Sequence, residues 1–253
     1  MLLALWLALA ACSSGEKPTL VEDASPDAAP AKTQGACDDV DPGEHLVAEA
    51  TTDGPIAIYD APRATTPSTS LANPKLINDD PNAPVPLVFL VKEAPSTDDC
   101  DWINVYLPVR PNGSTGWVRR DDVKVSKHDY RIEVHLGAFN LKVFEGDEII
   151  LDAPIAIARD NTPTPGGLYY TTELIQPPDP DTVYGSYAYG LSGYSEVLES
   201  FNGGPGQLGI HGTNEPDKIG TKVSSGCIRL RNEDIEQLAD TLPLGVPVEI
   251  FEQ

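Results

Sequence analysis

Positive charge is scarce in this chain of 253 residues: 17 Lys and Arg stand against 39 Asp and Glu, a net charge of −22. Phosphate attracts Lys and Arg and repels carboxylates, so this balance argues against a nucleic-acid partner. Helical patterning is nearly as scarce. The 24 prolines and 21 glycines break the chain into many turns, which points to a mainly β architecture. The histidines His45, His128 and His135 show no metal-ligand spacing with one another or with cysteine, so no metal is expected. The acidic pairs Asp38-Asp39, Asp79-Asp80 and Asp121-Asp122 lack a calcium-loop pattern and read as solvated loops. What the chain does have is a 40% apolar share, enough to bury a core, and a length that allows one or two domains of about 100 to 200 residues.

Long hydrophobic runs are limited to residues 1–11, an uncharged stretch ending before Cys12. At about 1.5 Å per helical residue it falls short of a bilayer core of about 30 Å, so it reads as a signal-peptide apolar region rather than a spanning helix. Leu9-Ala10-Ala11-Cys12 resembles a bacterial lipobox. That resemblance implies lipidation of Cys12 and an exported, periplasmic lipoprotein held at a membrane by its lipid; Ser13 resembles the pattern of lipoproteins sent to the outer membrane. An ordinary secretory signal is the alternative, and the absence of Lys or Arg before the apolar run departs from the usual pattern. Residues 12–36 carry no aromatic side chain and only Leu20 and Val21 as large apolar groups, so a disordered tether is expected. In an oxidising compartment Cys37 and Cys100 are the natural disulfide pair if Cys227 is a working thiol, with two buried free thiols as the alternative.

Residues 37–126 alternate short β-rich runs (Ile56 to Tyr59, Val85 to Val91, Trp102 to Leu107, Gly116 to Val118) with turn clusters, and Asn112-Gly113-Ser114 sits where a hairpin loop belongs. This describes a small β-barrel, and the string from Trp102 to Val123 resembles the second half of bacterial SH3-like domains. Trp102 and Trp117 fit either a ligand groove or a core. A second unit spans residues 127–253. Tyr130, Ile132, Val134 and Leu136 alternate with polar residues as in a half-buried strand, and Leu141 to Leu151 reads as strand, turn, strand. Asn161 to Gly167, with two prolines and two glycines, is a loop. One stretch is plainly helical: Asn232 reads as its N-cap, and Ile235, Leu238, Ala239 and Leu242 form an apolar stripe. Gly245 follows, and Val246 to Phe251 returns as a strand.

The chemistry concentrates between Gly209 and Arg231. A cysteine attacks as its thiolate, and a neighbouring imidazole can take the proton and return it to a departing amine. His211 and Cys227 are candidates for that pair, set among glycines where backbone approaches a ligand closely. Lys218, Lys222, Arg229 and Arg231 are the charged residues from Lys218 to Arg231, with no acid among them. Such a field favours a thiolate and draws in carboxylate-bearing substrates.

His211-Gly212-Thr213 followed by Ser224-Ser225-Gly226-Cys227-Ile228-Arg229 resembles the active-site signature of L,D-transpeptidases with a YkuD-type catalytic domain. The similarity runs from about Lys127 to the C-terminus and takes in Thr164-Pro165-Gly166 and Tyr189 to Glu196. It implies a β-sandwich-like catalytic domain with one or two short helices, following the SH3-like barrel. It further implies Cys227 as nucleophile, His211 as general base and the Gly212 carbonyl as the group that orients the imidazole. Backbone N–H groups around Gly226 and Cys227, supported by Ser224 and Ser225, would hold the oxyanion. Arg229 would bind a substrate carboxylate or sit in a structural salt bridge; Tyr189 and Tyr194 would border the cleft or pack across strands. Many members carry histidine where this chain has Ser225. The implied substrates are peptidoglycan stem peptides as donor and acceptor, handled by a monomer without cofactor. Hydrolysis, exchange with a free D-amino acid and attachment of a lipoprotein lysine use the same residues, and a non-catalytic wall-binding lipoprotein is the reading from another class.

Overall fold

The computed structural model describes residues 40–77, 83–93, 100–200 and 204–253, with the backbone of a short strand at Thr19–Leu20. The signal segment 1–11, Cys12 and Cys37, and with it the expected Cys37–Cys100 pairing, lie outside the described residues. Thr19 and Leu20 pair antiparallel with Gln176 and Ile175; the rest of segment 12–36, where a tether is expected, lies outside the described residues. The pairing falls at the one point where that segment offers large apolar groups.

The first unit is built from β1 (His45–Ala50), β2 (Val88–Glu93), β3 (Trp102–Tyr106), β4 (Thr115–Arg119) and β5 (Val123–His128). They form one antiparallel sheet in the order β5-β1-β2-β3-β4. Alternation places Ala48, Phe89, Ile103, Val105 and Val118 in its core, where the hairpin Ile56–Ile58 and Thr69–Leu71 adds Ile56 and Ile58. Trp102 is buried on the opposite face of β3 from Ile103 and Val105, where it meets Tyr59 edge-on at 4.9 Å. The β3–β4 connection carries Asn112-Gly113-Ser114 at its turn, with Gly113 at φ +78°. The expected boundary after residue 126 falls inside β5, because His128 still pairs with His45 of β1; the chain changes units at Asp129.

The second unit contains β6 (Tyr130–His135), β7 (Asn140–Glu145), β8 (Glu148–Pro154), β9 (Gly167–Gln176), β10 (Ala188–Tyr194), β11 (Gln207–His211), β12 (Ile228–Arg229), helix α1 (Asn232–Thr241) and β13 (Pro247–Phe251). The sheet runs β8-β7-β6-β13-β9-β10-β11-β12 and curls, so that Ile132 and Leu141 near one end share a core with Ile210 and Ile228 near the other. β13 returns from the C-terminus to lie parallel to β6 and antiparallel to β9. The protein is thus mainly β, with α1 as its one α-helix among the described residues. Ile235, Leu238 and Leu242 of the α1 stripe are buried in this core. Six consecutive residues of β9, Tyr169 to Leu174, are buried, since the first unit covers the face turned away from the core. The Tyr170 hydroxyl there donates to the Tyr106 carbonyl at 3.1 Å.

Candidate active site

β11 and β12 run parallel, with Ile210 opposite Ile228 and His211 opposite Arg229. That register brings the start of β12 beside Gly209, whose backbone acts on the Cys227 thiol and favours its ionised form. His211 and Cys227, well apart in sequence, therefore line one cleft together with Tyr184, Ser225, Arg159 and Arg229.

His211 sits between two ladders, paired with Ala188 of β10 on one side and Arg229 on the other, so its backbone has little freedom. The imidazole is buried, and its Nδ1 lies 2.7 Å from the Gly212 carbonyl. A carbonyl only accepts, so Nδ1 carries the proton in this contact and Nε2 keeps its lone pair for a substrate-side proton. Burial is the main reason the His211 pKa is lowered to about 4, and the Arg229 charge pushes the same way. The ring is therefore neutral at physiological pH. Tyr184 packs edge-on against it at 5.1 Å between ring centroids.

The loop behind His211 is tied down by Asn232. Its Oδ1 accepts from Thr213 N–H at 3.0 Å and Ser186 N–H at 3.3 Å. Asn232 thus begins α1 as its first residue, after Arg231 at the cap position, and its side chain makes no capping bond. This corrects the N-cap reading. The approach is so close that a Cβ on Gly212 would stand 2.3 Å from that oxygen, which is why glycine follows the histidine. Replacing Asn232 with alanine leaves two amide donors without their acceptor, and a loss of about 2 kcal/mol is expected in urea unfolding, with a smaller loss in Asn232→Asp.

The turn before Cys227 is held from inside. Ser224 Oγ donates to the Cys227 carbonyl at 2.5 Å and accepts from Gly226 N–H at 3.3 Å. Thr164, buried in the loop ahead of β9, donates its hydroxyl to the Gly226 carbonyl at 2.8 Å. Gly226 itself is at φ +138°, a region that disfavours side chains. Its N–H is bonded to Ser224 Oγ, so that donor is used within the turn itself. Ser224 and Gly226 shape the turn, and Ser225 faces the cleft.

Burial pushes the Cys227 thiol up, and this outweighs the opposing effects of the Gly209 backbone and the Arg229 charge. The basic run does not act as one field on the sulfur: Lys222 is paired with Asp160 at 2.6 Å on the surface. The resting pair is accordingly a neutral thiol and a neutral imidazole, not the thiolate that charge pattern suggested.

Arg229 lines the cleft but is largely buried and bridges to Glu215 at 3.2 Å, so the salt-bridge alternative is the one realised in this conformation. Tyr189 does not border the cleft. It is buried, and its hydroxyl donates to the Leu238 and Leu242 carbonyls, fastening the end of α1 to β10. The Tyr194 hydroxyl donates to the Pro108 carbonyl of the first unit at 2.9 Å, which places it at the contact between units. Tyr184 and Arg159 are cleft residues that sequence reasoning passed over. Asn232 was read only as a helix cap, and Gly209 only as the glycine that opens the His211 motif. Among the described residues no group of three or more His, Cys, Asp or Glu could hold a metal ion.

Residues 129–250 match the family described as L,D-transpeptidase catalytic domain, YkuD. A putative L,D-transpeptidase YkuD of Bacillus licheniformis is 36% identical over 121 residues, and its Bacillus subtilis counterpart 35%. Each alignment covers 48% of this chain and 65% of the relative, just under two thirds of its length. Among solved structures, Bd1075 of Bdellovibrio bacteriovorus is 30% identical, with a TM-score of 0.40 over 49% of this chain and 48% of that one.

Proposed function

Because residues 129–250 of this chain match the YkuD family of L,D-transpeptidase catalytic domains, we propose that the protein is a cysteine acyltransferase that cross-links peptidoglycan stem peptides. The observation that carries the reading is the pairing of a buried, neutral His211, its Nδ1 fixed on the Gly212 carbonyl, with Cys227 in the same cleft. His211 Nε2 takes the thiol proton as Cys227 Sγ attacks the carbonyl of the third residue of a tetrapeptide donor. The bond to the terminal D-alanine breaks, and His211 returns its proton to the leaving amine. A side-chain amine of a second stem attacks the thioester, and its proton passes through His211 back to Sγ. The Cys227 N–H faces the oxygen on which charge develops. Arg159, exposed at the cleft, is the cation that meets a donor carboxylate, while Arg229 is occupied by Glu215.

The reading extends to an exported lipoprotein anchored through Cys12, with an SH3-like first unit and a Cys37–Cys100 disulfide; loss of lipid labelling in Cys12→Ala tests the anchor. Incubation with a defined tetrapeptide muropeptide tests the reaction. A dimer with the mass of two stems less one D-alanine is expected, whereas tripeptide alone, or exchange of the terminal residue alone, would replace transpeptidation by hydrolysis or exchange.

A further inference from the structure

One wall of the cleft is made by the ends of the segment that joins β10 to β11: Ser195, Leu198, Gly206 and Gln207 line it beside His211 and Cys227. The segment closes on itself, with Ser195 N–H donating to the Gly206 carbonyl at 2.8 Å and Leu198 N–H to Ser195 Oγ at 3.1 Å. The hold on its outward side comes from the first unit. Arg110, in the β3–β4 loop, donates from Nη1 to the Ser195 carbonyl at 2.7 Å, and from Nη2 to the carbonyls of Leu198 at 3.0 Å and Pro205 at 2.8 Å. Its guanidinium also stacks over the Tyr194 ring, 4.9 Å from the centroid.

Two further contacts fix the frame from which Arg110 reaches. Asn112 accepts from Tyr194 N–H and donates to the Tyr194 carbonyl, both at 2.9 Å. Lys75, also of the first unit, donates to Gln207 Oε1 at 3.1 Å and to the buried Glu173 carboxylate at 3.0 Å. A planar fork with fixed donor directions can hold three carbonyls in one mutual arrangement, which the single charge of a lysine cannot reproduce.

We propose that Arg110 is a positioning residue through which the first unit sets the wall of the active cleft, so that donor binding depends on a side chain remote from the reacting atoms. The substrate readout rests on the acyl-transfer reading above; the wall itself can be tested without it. The full chain would be compared with Arg110→Ala, Arg110→Lys and Tyr170→Phe. The last removes the bond between units from Tyr170 to the Tyr106 carbonyl, which touches no part of the wall. In Arg110→Ala, hydrogen exchange at the Ser195 and Leu198 amides is expected to quicken about tenfold. The donor KM should rise about tenfold with kcat within about twofold. Arg110→Lys should fall between, and Tyr170→Phe should lower the melting temperature while leaving exchange in the wall and KM unchanged. A folded Arg110→Ala with wild-type exchange and KM, or a Tyr170→Phe that reproduces its effects, would overturn the proposal. A wild-type protein that turns over no muropeptide sinks the acyl-transfer reading instead, and the exchange comparison then decides the role of Arg110 alone.

Discussion

Cys227→Ala should release D-alanine from a tetrapeptide donor at no more than the background rate, a loss on the order of 10⁴-fold or more in kcat. No other side chain lining the cleft is a comparable nucleophile: Ser225 faces it without a base bonded to its hydroxyl, and Ser224 is occupied on both sides by the backbone of its own turn. The fold should survive the change. The thiol lies at the edge of a cleft rather than in the core, so a stability change within about 1 kcal/mol is expected. Cys227→Ser should not recover the activity, since a hydroxyl is far harder to ionise than a thiol. D-alanine release measured alongside thermal melting separates loss of chemistry from loss of fold.

The second large effect is expected at His211, where replacement by glutamine should lower kcat/KM about 10³-fold near neutral pH. The size follows from the protonation states. Burial pushes the Cys227 thiol up, so few molecules hold a thiolate at neutral pH without a base. Burial also lowers His211 to about 4, so the wild-type ring is neutral and ready to accept a proton from pH 5 upward. In His211→Gln the attack depends on thiolate formed by solvent, whose fraction grows about tenfold per pH unit below the thiol pKa. The variant should therefore climb steeply with pH while the wild type changes less, and the gap should narrow in alkali. A variant with the wild-type pH profile would remove His211 from proton transfer.

The same shift carries a stability signature. The folded pKa of His211 lies below its unfolded value of 6.5, so protonation favours the unfolded chain. Stability then falls as the pH drops from about 6.5 to 4, by roughly 3 kcal/mol if the whole shift is expressed, and His211→Gln should abolish that part of the decline. His128, lowered to about 4 by burial and by the neighbouring His45, continues the decline in both proteins.

The parts of this fold that could be read in advance are those whose cause is local. The alternation from Tyr130 to Leu136 requires a strand with Ile132 and Val134 inward, and both are buried. Gly146 between two apolar runs marks the β7–β8 turn, and it has φ +55°. The insertion of β13 between β6 and β9 leaves no local trace, because its partners are distant in the chain and the register is decided by the assembled sheet. Asn232 satisfied the helix-start pattern, yet its oxygen is recruited by Thr213 and Ser186 from another part of the chain. Tyr189 followed a motif near the cleft, but the strand face it occupies turns it into the core under α1. The charge pattern around Cys227 was visible as well. What it omitted was burial, which acts on the thiol more strongly than Arg229 does and which composition does not reveal. Nor could spacing foretell that Arg110 would reach three carbonyls of the cleft wall, since that contact exists only once the two units pack.

The most direct test of acyl transfer through Cys227 is intact-protein mass spectrometry of the chain mixed with a tetrapeptide donor in the absence of acceptor. One added mass is expected, equal to the donor less D-alanine, located on the peptide containing Cys227, removed by hydroxylamine and missing from Cys227→Ala. Release of D-alanine with Cys227 unmodified, or an adduct that persists in Cys227→Ala, would contradict it.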